Sequence, residues 1–457
     1  MQENLHFPSK TLQFMIGTLP CQNQRDVFLP LLADFIDMDH DLVRLAHKID
    51  WNLFETEFAC LYSDTGAPAE PIRQMVGFLI LKRLYNLGDE TLAAAWVMNP
   101  YMQYFCGQAH FQHTFPCDPS DLVHFRGRIG TEGLELIFAH SVQLHGNPAR
   151  CTIATSDTTV QENNTTFPTD AKLAKKVIDQ CNRIVNREGL PQRQSYVRVS
   201  KQLVREAYFG HHPRRAKKAK KARRKLRTIA GRLLRELERN LPEGCQQDYQ
   251  EFMEVGWQAI TQQRADKDKI YSLHKPFTAC IAKGKAHKKY EFGNKVGIIV
   301  HPTRRLVLSV AAYEGNPNDS KTIAPLLETM DRLELEKPVE VIFDRGGRGA
   351  KIIDPVIVTT PDPPGKSTDE NHKRRMRRRF RKRAGIEPII GHLKSDHRMG
   401  QNYLHGSDSP YKNALLAAAG WNLKKWMEQS RKKIKKALFR WGFQWLFTTS
   451  ISLNPSS

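Results

Sequence analysis

Three acidic residues, Asp157, Asp344 and Glu387, stand in settings where carboxylates could do metal-assisted chemistry on a phosphodiester. Glu387 lies in the helix-compatible run Arg383-x3-Glu387-x6-Lys394. At about 100° per residue these three positions share one helical face, so a carboxylate is flanked by two cations. Such a face can hold a metal ion and a phosphodiester together. The two aspartates read as residues delivered by short strands, CTIATS before Asp157 and PVEVIF before Asp344. Cleaving a phosphodiester requires an activated nucleophile oxygen and a stabilised leaving oxygen, and two divalent ions about 3.5–4 Å apart do both when carboxylates bridge them. Mg²⁺ favours oxygen ligands and keeps water, so a few acids suffice. A strand-end aspartate by itself is more often a turn former. Its weight therefore comes from its surroundings.

The elements that must position these acids can be read along the chain. Residues 28–145 read as helical, with apolar positions at i, i+3, i+4 spacing in PIRQMVGFLILKRLYNLGDETLAAAWVMNP. Asp89 and Glu90 after Gly88 suit a fresh helix N-terminus, and Asn99-Pro100 its end. Asp118-Pro119-Ser120-Asp121 reads as a capping turn into LVHFRGRIG, where Arg126 and Arg128 either face DNA or end a solvated helix. At 151 the pattern turns to a strand ending at Asp157, then returns to helix from about 170 to 265. KYEFGNKVGIIV and RRLVLSVAAYEG read as a hairpin about His301-Pro302-Thr303. A helix near Thr322–Leu335 follows, and a strand then delivers Asp344 into the loop RGGRG. One further strand, KIIDPVIVTT, precedes the loop PDPPGK and a single long basic helix carrying Glu387. This order matches a ribonuclease H-like layout, in which carboxylates on strand ends and a following helix meet at one edge of a mixed sheet. The expected architecture is α/β: a ribonuclease H-like mixed sheet with a helical insertion after the first strand, preceded by an all-helical N-terminal domain. The boundaries expected are 1–148 for the helical domain, 149–430 for the sheet domain with its insertion at about 165–270, and 431–457 for a basic, aromatic tail.

The strings around the acids, DTTVQENNTTFPTDAKL, VIFDRGGRG and Arg383-x3-Glu387-x6-Lys394 with GHLKSDHRMGQNYL, resemble one family. They are similar to the DDE transposases of bacterial insertion sequences, in particular the group typified by insertion sequence five. Its signature, Tyr-x2-Arg-x3-Glu-x6-Lys, is met here at Arg383, Glu387 and Lys394, with Phe380 in the tyrosine place. Asp344-Arg345-Gly346 is followed by Gly347, where the family commonly has an aromatic residue. RQMVGFLILKRLYNLGDETL, NPYMQYFCG and DPSDLVHFRGRIG also resemble that family's helical N-terminal domain. The resemblance implies that Asp157, Asp344 and Glu387 bind two Mg²⁺ ions, with Mn²⁺ as a substitute, at the ends of a transposable element. It implies Arg383 and Lys394 as contacts to DNA near the scissile site, and a homo-oligomer on DNA.

Charge supports a polyanionic partner. The 457 residues carry 70 Lys and Arg against 48 Asp and Glu, a net charge of +22. Ten cations between 214 and 227, Lys217, Lys221 and Arg224 among them, continue into the apolar spacing Leu226, Ile229, Leu233, Leu234, Leu237, which suits an anchored amphipathic helix that tracks phosphates. HKRRMRRRFRKR, with Arg377, Arg378 and Arg381, adjoins Glu387 and is the stronger expectation for phosphate contact. Asp319 in GNPNDSKT reads as a helix cap, and His392, Asp396 and His397 lack the second His or Cys cluster that a transition-metal site needs. The eight cysteines form no C-x-x-C pair. With no long uncharged apolar stretch and no signal-peptide profile at MQENLHFPSK, no membrane association is expected and a cytoplasmic, nucleoid-associated protein is. Two rivals remain open: a ribonuclease H-like nuclease that cuts without joining, and a DNA-binding protein derived from a transposase.

Overall fold

A computed structural model describes residues 29–63, 65, 68–146, 151–208, 210, 212–282, 288–347, 352–353, 355–361 and 369–451, with 16, 17 and 19 besides; side chains are described as far as 434, Arg345 excepted. Seven helices come first: α1 (Leu32–Phe35), α2 (Asp41–Lys48), α3 (Trp51–Ala59), α4 (Ile72–Leu84), α5 (Asp89–Val97), α6 (Pro100–Phe105) and α7 (Asp121–Gln143). Local chemistry sets their starts. The side chains of His40, Asp50 and Asn99 accept from backbone N–H groups of the first turns of α2, α3 and α6, and Pro100 takes a position where an N–H would be unpaired anyway. α7 kinks at Gly130, whose φ of 62° puts it in the left-handed region.

The sheet begins with β1 (Ile153–Asn163), and an insertion of four helices follows: α8 (Asp170–Arg187), α9 (Val197–Tyr208), α10 (Pro213–Asn240) and α11 (Gln246–Thr261). The chain returns through β2 (Ala279–Ala282), β3 (Tyr290–His301), β4 (Leu306–Tyr313), α12 (Ile323–Arg332) and β5 (Glu340–Ile342). After β6 (Ile352–Ile353) and β7 (Val356–Thr359) come α13 (Glu370–Arg383), α14 (Ile386–Ser395), β8 (Gln401–Asn402) and α15 (Ser409–Ile451). The sheet is mixed. β3 runs antiparallel to β1 on one side, β5 runs parallel to it on the other, and β7 parallels β5. β4 pairs antiparallel with the far edge of β3.

Two cores hold the molecule. One is continuous from the N-terminal helices through Phe78, Trp96 and Phe138 to the sheet residues Ile298, Val310 and Val341 and on to Leu415 and Trp421 of α15. The other lies within the insertion, where Val177, Ile178, Leu226, Leu233 and Ile260 pack together. Burial of these faces stabilises each layer, at roughly 25 cal/mol per Å² of apolar surface.

The structure corrects four expectations. Asp157 is inside β1, not at its end, because Thr158, Thr159 and Val160 continue the strand and stay paired with β3 as far as Glu162 opposite Gly293. The basic segment is two helices, α13 and α14, with Ala384 and Gly385 between them, so Arg383 and Glu387 sit on different helices. Glycine is a poor helix former and marks the joint. The strand expected from KIIDPVIVTT is a small antiparallel pair, β6 and β7, broken before Pro355, which has no N–H for a ladder. Arg126 does not face DNA. It is buried and bonds both oxygens of Asp89, at 3.0 and 3.1 Å, and that carboxylate also pairs with Lys82. Burial pushes the Lys82 ammonium down to about 7.

Candidate active site

Parallel pairing of β1 with β5 sets Thr155 opposite Ile342, so Asp157, still within β1, and Asp344, just past the end of β5, lie two residues further on and side by side. Asp344 starts the loop that coils as a 3-10 turn over Arg345–Gly347, and its Oδ1 accepts from the Gly346 N–H at 2.8 Å. Asp157 Oδ1 accepts from the Thr158 N–H, also at 2.8 Å. Each carboxylate is thus oriented by backbone and keeps its second oxygen for another partner.

That partner is shared. Arg383, the last residue of α13, places Nη2 3.0 Å from Asp157 Oδ2 and 3.5 Å from Asp344 Oδ2. One guanidinium therefore offsets the mutual repulsion of two carboxylates. Its Nε is buried without a hydrogen-bond partner among the described residues, and its Nη2 is turned toward the acids. Sequence reasoning assigned Arg383 to phosphate; here it stands as an internal counter-ion.

Glu387 lies in the first turn of α14, four residues beyond Arg383 and across the joint between the two helices, and is exposed. A carboxylate there also suits the positive end of the helix dipole. α14 packs against β1, on the strand that carries Asp157. Among the described residues no three His, Cys, Asp or Glu side chains are grouped to hold a metal ion, so Glu387 does not close on the aspartates in this arrangement. Lys394 is half-buried near the end of α14, while Arg377, Arg378 and Arg381 are exposed on α13. Arg377 reaches Glu370 only loosely, at 3.7 Å. Lys217, Lys221 and Arg224 are exposed on α10, well separated in sequence from the acids and within the insertion.

Asp319 belongs here, against its reading as a helix cap. Asn318 supplies the cap, accepting from Ser320 N–H, and the Asp319 side chain turns to the site. Its Oδ1 accepts from Thr158 Oγ1 at 3.0 Å and pairs with Lys295 Nζ at 2.7 Å. A Cβ on Gly346 would lie 2.5 Å from Asp319 Oδ2 and 3.0 Å from Asp344 Oδ1. Asp319 thus ties the residue after Asp157 to β3 and to the loop after Asp344. The sequence signal that could have found it is the register that sets Lys295 beside β1, which a linear reading does not contain. Gly347 has a reason too: a Cβ there would meet the Phe343 ring at 2.1 Å, leaving no room for an aromatic residue.

The histidines near the site are structural. His397 is fully buried, with Nδ1 2.9 Å from the Arg83 carbonyl, and burial pushes it down to about 4. His392 pairs with Asp396 at 2.9 Å, and hydrogen bonds from Ser395 and His392 hold that carboxyl down to about 2.

With this geometry in view, the comparisons are specific. Residues 259–423, which include Asp344 and Glu387, match the family described as "Transposase DDE domain", and residues 30–128 match "Transposase domain (DUF772)". An "Uncharacterized protein ORF8 in nfe locus" of Rhizobium meliloti is 37% identical over 198 residues, which cover 42% of this chain and 96% of the relative. No solved structure matches the chain. The chain belongs to the DDE transposases of insertion sequences. Enzymes of this class act on DNA and in general use divalent metal ions. No helix among the described residues is long and apolar enough to cross a membrane.

Proposed function

We propose that the chain is an insertion-sequence-five type transposase with a ribonuclease H-like core, cutting DNA at element ends with Mg²⁺ and joining the freed 3′ hydroxyl to target DNA. The observation that carries this reading is the convergence of Asp157 and Asp344 on one cation, Arg383. The strand order, with one antiparallel strand between parallel ones, favours the ribonuclease H-like assignment. On this reading 1–148 binds element ends, 149–430 is catalytic with its insertion at about 165–270, and 431–457 is a basic, aromatic tail. The working form is a homo-oligomer on DNA, associated with the nucleoid.

The residues fit a divalent ion on two grounds. Their donors are hard carboxylate oxygens, and a positive group already stands between them. Asp157 and Asp344 would hold the metal, with Glu387 reaching in from α14. Bound there, a pair of Mg²⁺ ions, or Mn²⁺ in their place, supplies polarisation of the phosphate and a more acidic attacking hydroxyl. Arg383, displaced from the aspartates, turns to a non-bridging phosphate oxygen, and Lys394 does the same from α14. Arg377, Arg378 and Arg381 hold the flanking backbone, and Lys217, Lys221 and Arg224 hold DNA further away. Asp319, fixed by Lys295, keeps the two aspartate-bearing segments in register.

Excision from a supercoiled plasmid tests the assignment. Asp157→Ala, Asp344→Ala and Glu387→Ala should each lose strand cleavage. Undiminished cleavage in any one removes that residue from the site, and cleavage with no joined product would make the protein a nuclease instead.

A further inference from the structure

The insertion between β1 and β2 carries a second cluster of chemistry that the acids do not use. Arg193, Arg232, Arg235 and Arg239, with Tyr196 and Glu236, line a cleft of about 490 Å³. Three of the arginines lie along α10 at spacings of three and four, so they share one face. The fourth comes from the loop between α8 and α9, and that loop is fixed. Asn182 Nδ2 donates to the Ser195 carbonyl at 2.9 Å, Gln192 Nε2 donates to Asn182 Oδ1 at 2.7 Å, and Arg193 N–H donates to Glu236 Oε1 at 2.8 Å. Glu236 is thereby engaged in holding the loop, and four guanidinium groups face one carboxylate. Tyr196 is held at φ 55°, a left-handed conformation that costs a non-glycine residue energy and collects at binding sites. The Arg235 guanidinium lies 5.6 Å from the centre of the Trp257 ring, which steadies it.

The cleft is not solitary. Lys217, Lys221 and Arg224 fall within roughly 80° of Arg232, Arg235 and Arg239 around α10. This is the side opposite Ala222, Leu226, Ile229, Leu233 and Leu237, which are buried in the insertion's own core. From 217 to 239 the stripe spans about 33 Å at 1.5 Å per residue, close to one turn of duplex DNA. The insertion leaves the sheet at the end of β1, six residues past Asp157, on the order of 20 Å of strand.

We infer that this stripe and its arginine cleft clamp the phosphate backbone of duplex DNA outside the scissile region, about one helical turn of it. The inference rests on DNA being the substrate. It adds a remote anchor whose cleft residues, Arg193, Arg232, Arg235 and Arg239, contact no reacting atom. A small anion would fill the cleft without using the stripe, so the length of the stripe favours a polymer.

The test uses the full chain and the triple variant Arg232→Ala, Arg235→Ala, Arg239→Ala, with Arg→Lys at the same three positions as the charge-keeping control. Fluorescence anisotropy measures binding to a 40-bp duplex ending at the cut site, across a salt series, with inorganic phosphate binding titrated separately. The alanine variant should bind the long duplex at least tenfold more weakly at 0.1 M salt, with a salt slope shallower by about 2–3, since each lost phosphate contact removes about 0.9. The lysine variant should keep most of that slope, and cleavage at saturating protein should stay at the wild-type rate in the alanine variant. Unchanged affinity and slope on the long duplex would overturn the clamp. Loss of cleavage at saturating protein would overturn its remoteness, and loss of inorganic phosphate binding without loss of duplex binding would assign the cleft to a small anion. If wild type binds with the expected slope but cuts nothing, the catalytic reading fails while the clamp stands.

Discussion

A guanidinium between two carboxylates does for Asp157 and Asp344 what a divalent cation would do, and so competes with it. Removing it takes away the cation that offsets two like charges standing side by side. Arg383→Ala should therefore raise Mn²⁺ affinity in the absence of DNA, by roughly tenfold or more, while lowering DNA cleavage because the proposed phosphate contact is removed. Calorimetry reads the first effect, and Mn²⁺ affinity equal to wild type would mean that the arginine does not guard the metal position. Gly346 makes a second prediction. A methyl group at 2.5 Å from Asp319 Oδ2 and 3.0 Å from Asp344 Oδ1 must displace one carboxylate. Gly346→Ala should then slow cleavage by about 10²-fold, the usual effect of ångström-scale misplacement, with duplex affinity unchanged. The acids could be singled out because each sits in a string whose neighbours narrow its meaning, and the register adds that Asp157 and Asp344 stand side by side. The internal partner of Arg383 was not, since spacing along a presumed single helix says nothing about a group reached across 226 residues. Asp319 was hidden by its company: Gly, Asn and Pro around it describe a turn equally well.

At the level of elements, α4, α5 and α7 are locked by one carboxylate facing two buried cations. Asp89→Ala would leave Lys82 and Arg126 without it, and breaking such a buried pair typically costs about 3–5 kcal/mol. Denaturant unfolding should show a loss of that size, whereas a loss below about 1 kcal/mol would mean that the cations find water. Both readings open for Arg126, a DNA contact or a solvated helix end, point it outward, because nothing in LVHFRGRIG tells an outward arginine from one turned toward Asp89. The junction of α4 with the end of α14 depends on neutral His397. Its folded pKa of about 4 lies below the ordinary 6.5, so its contribution is whole above pH 6.5 and is lost as pH falls toward 4. That loss amounts to about 3 kcal/mol. Asp396, held down to about 2, titrates below this window. Urea midpoints of wild type should fall between pH 7 and 4.5 more steeply than those of His397→Gln, and parallel curves would exclude the histidine as the cause. The helix break at Ala384–Gly385 was likewise invisible to a face-counting argument, which assumes the continuity it is meant to test.

For the molecule as a whole, the charge of +22 is arranged and not merely abundant. Cations line α13 beside the aspartates and the outer face of α10 beyond the end of β1. The longer strands β1, β3 and β4 and the run before Asp344 could be read from their apolar residues, because a strand buried on a sheet leaves that imprint, whereas the short strands β2 and β8 leave too little of it. The separate core of the insertion, and the continuity of the N-terminal helices with the sheet, could not. Apolar periodicity shows that a face is buried without showing against what. The central claim is that Asp157 and Asp344 form the seat of a divalent cation that Arg383 occupies in its absence. Crystals soaked in Mn²⁺ and recorded at the manganese absorption edge test it directly. The account predicts an anomalous peak at about 2.1 Å from an oxygen of each aspartate, with the Arg383 guanidinium moved away. A structure in which Mn²⁺ binds only elsewhere, while Arg383 still bridges both carboxylates, would contradict it.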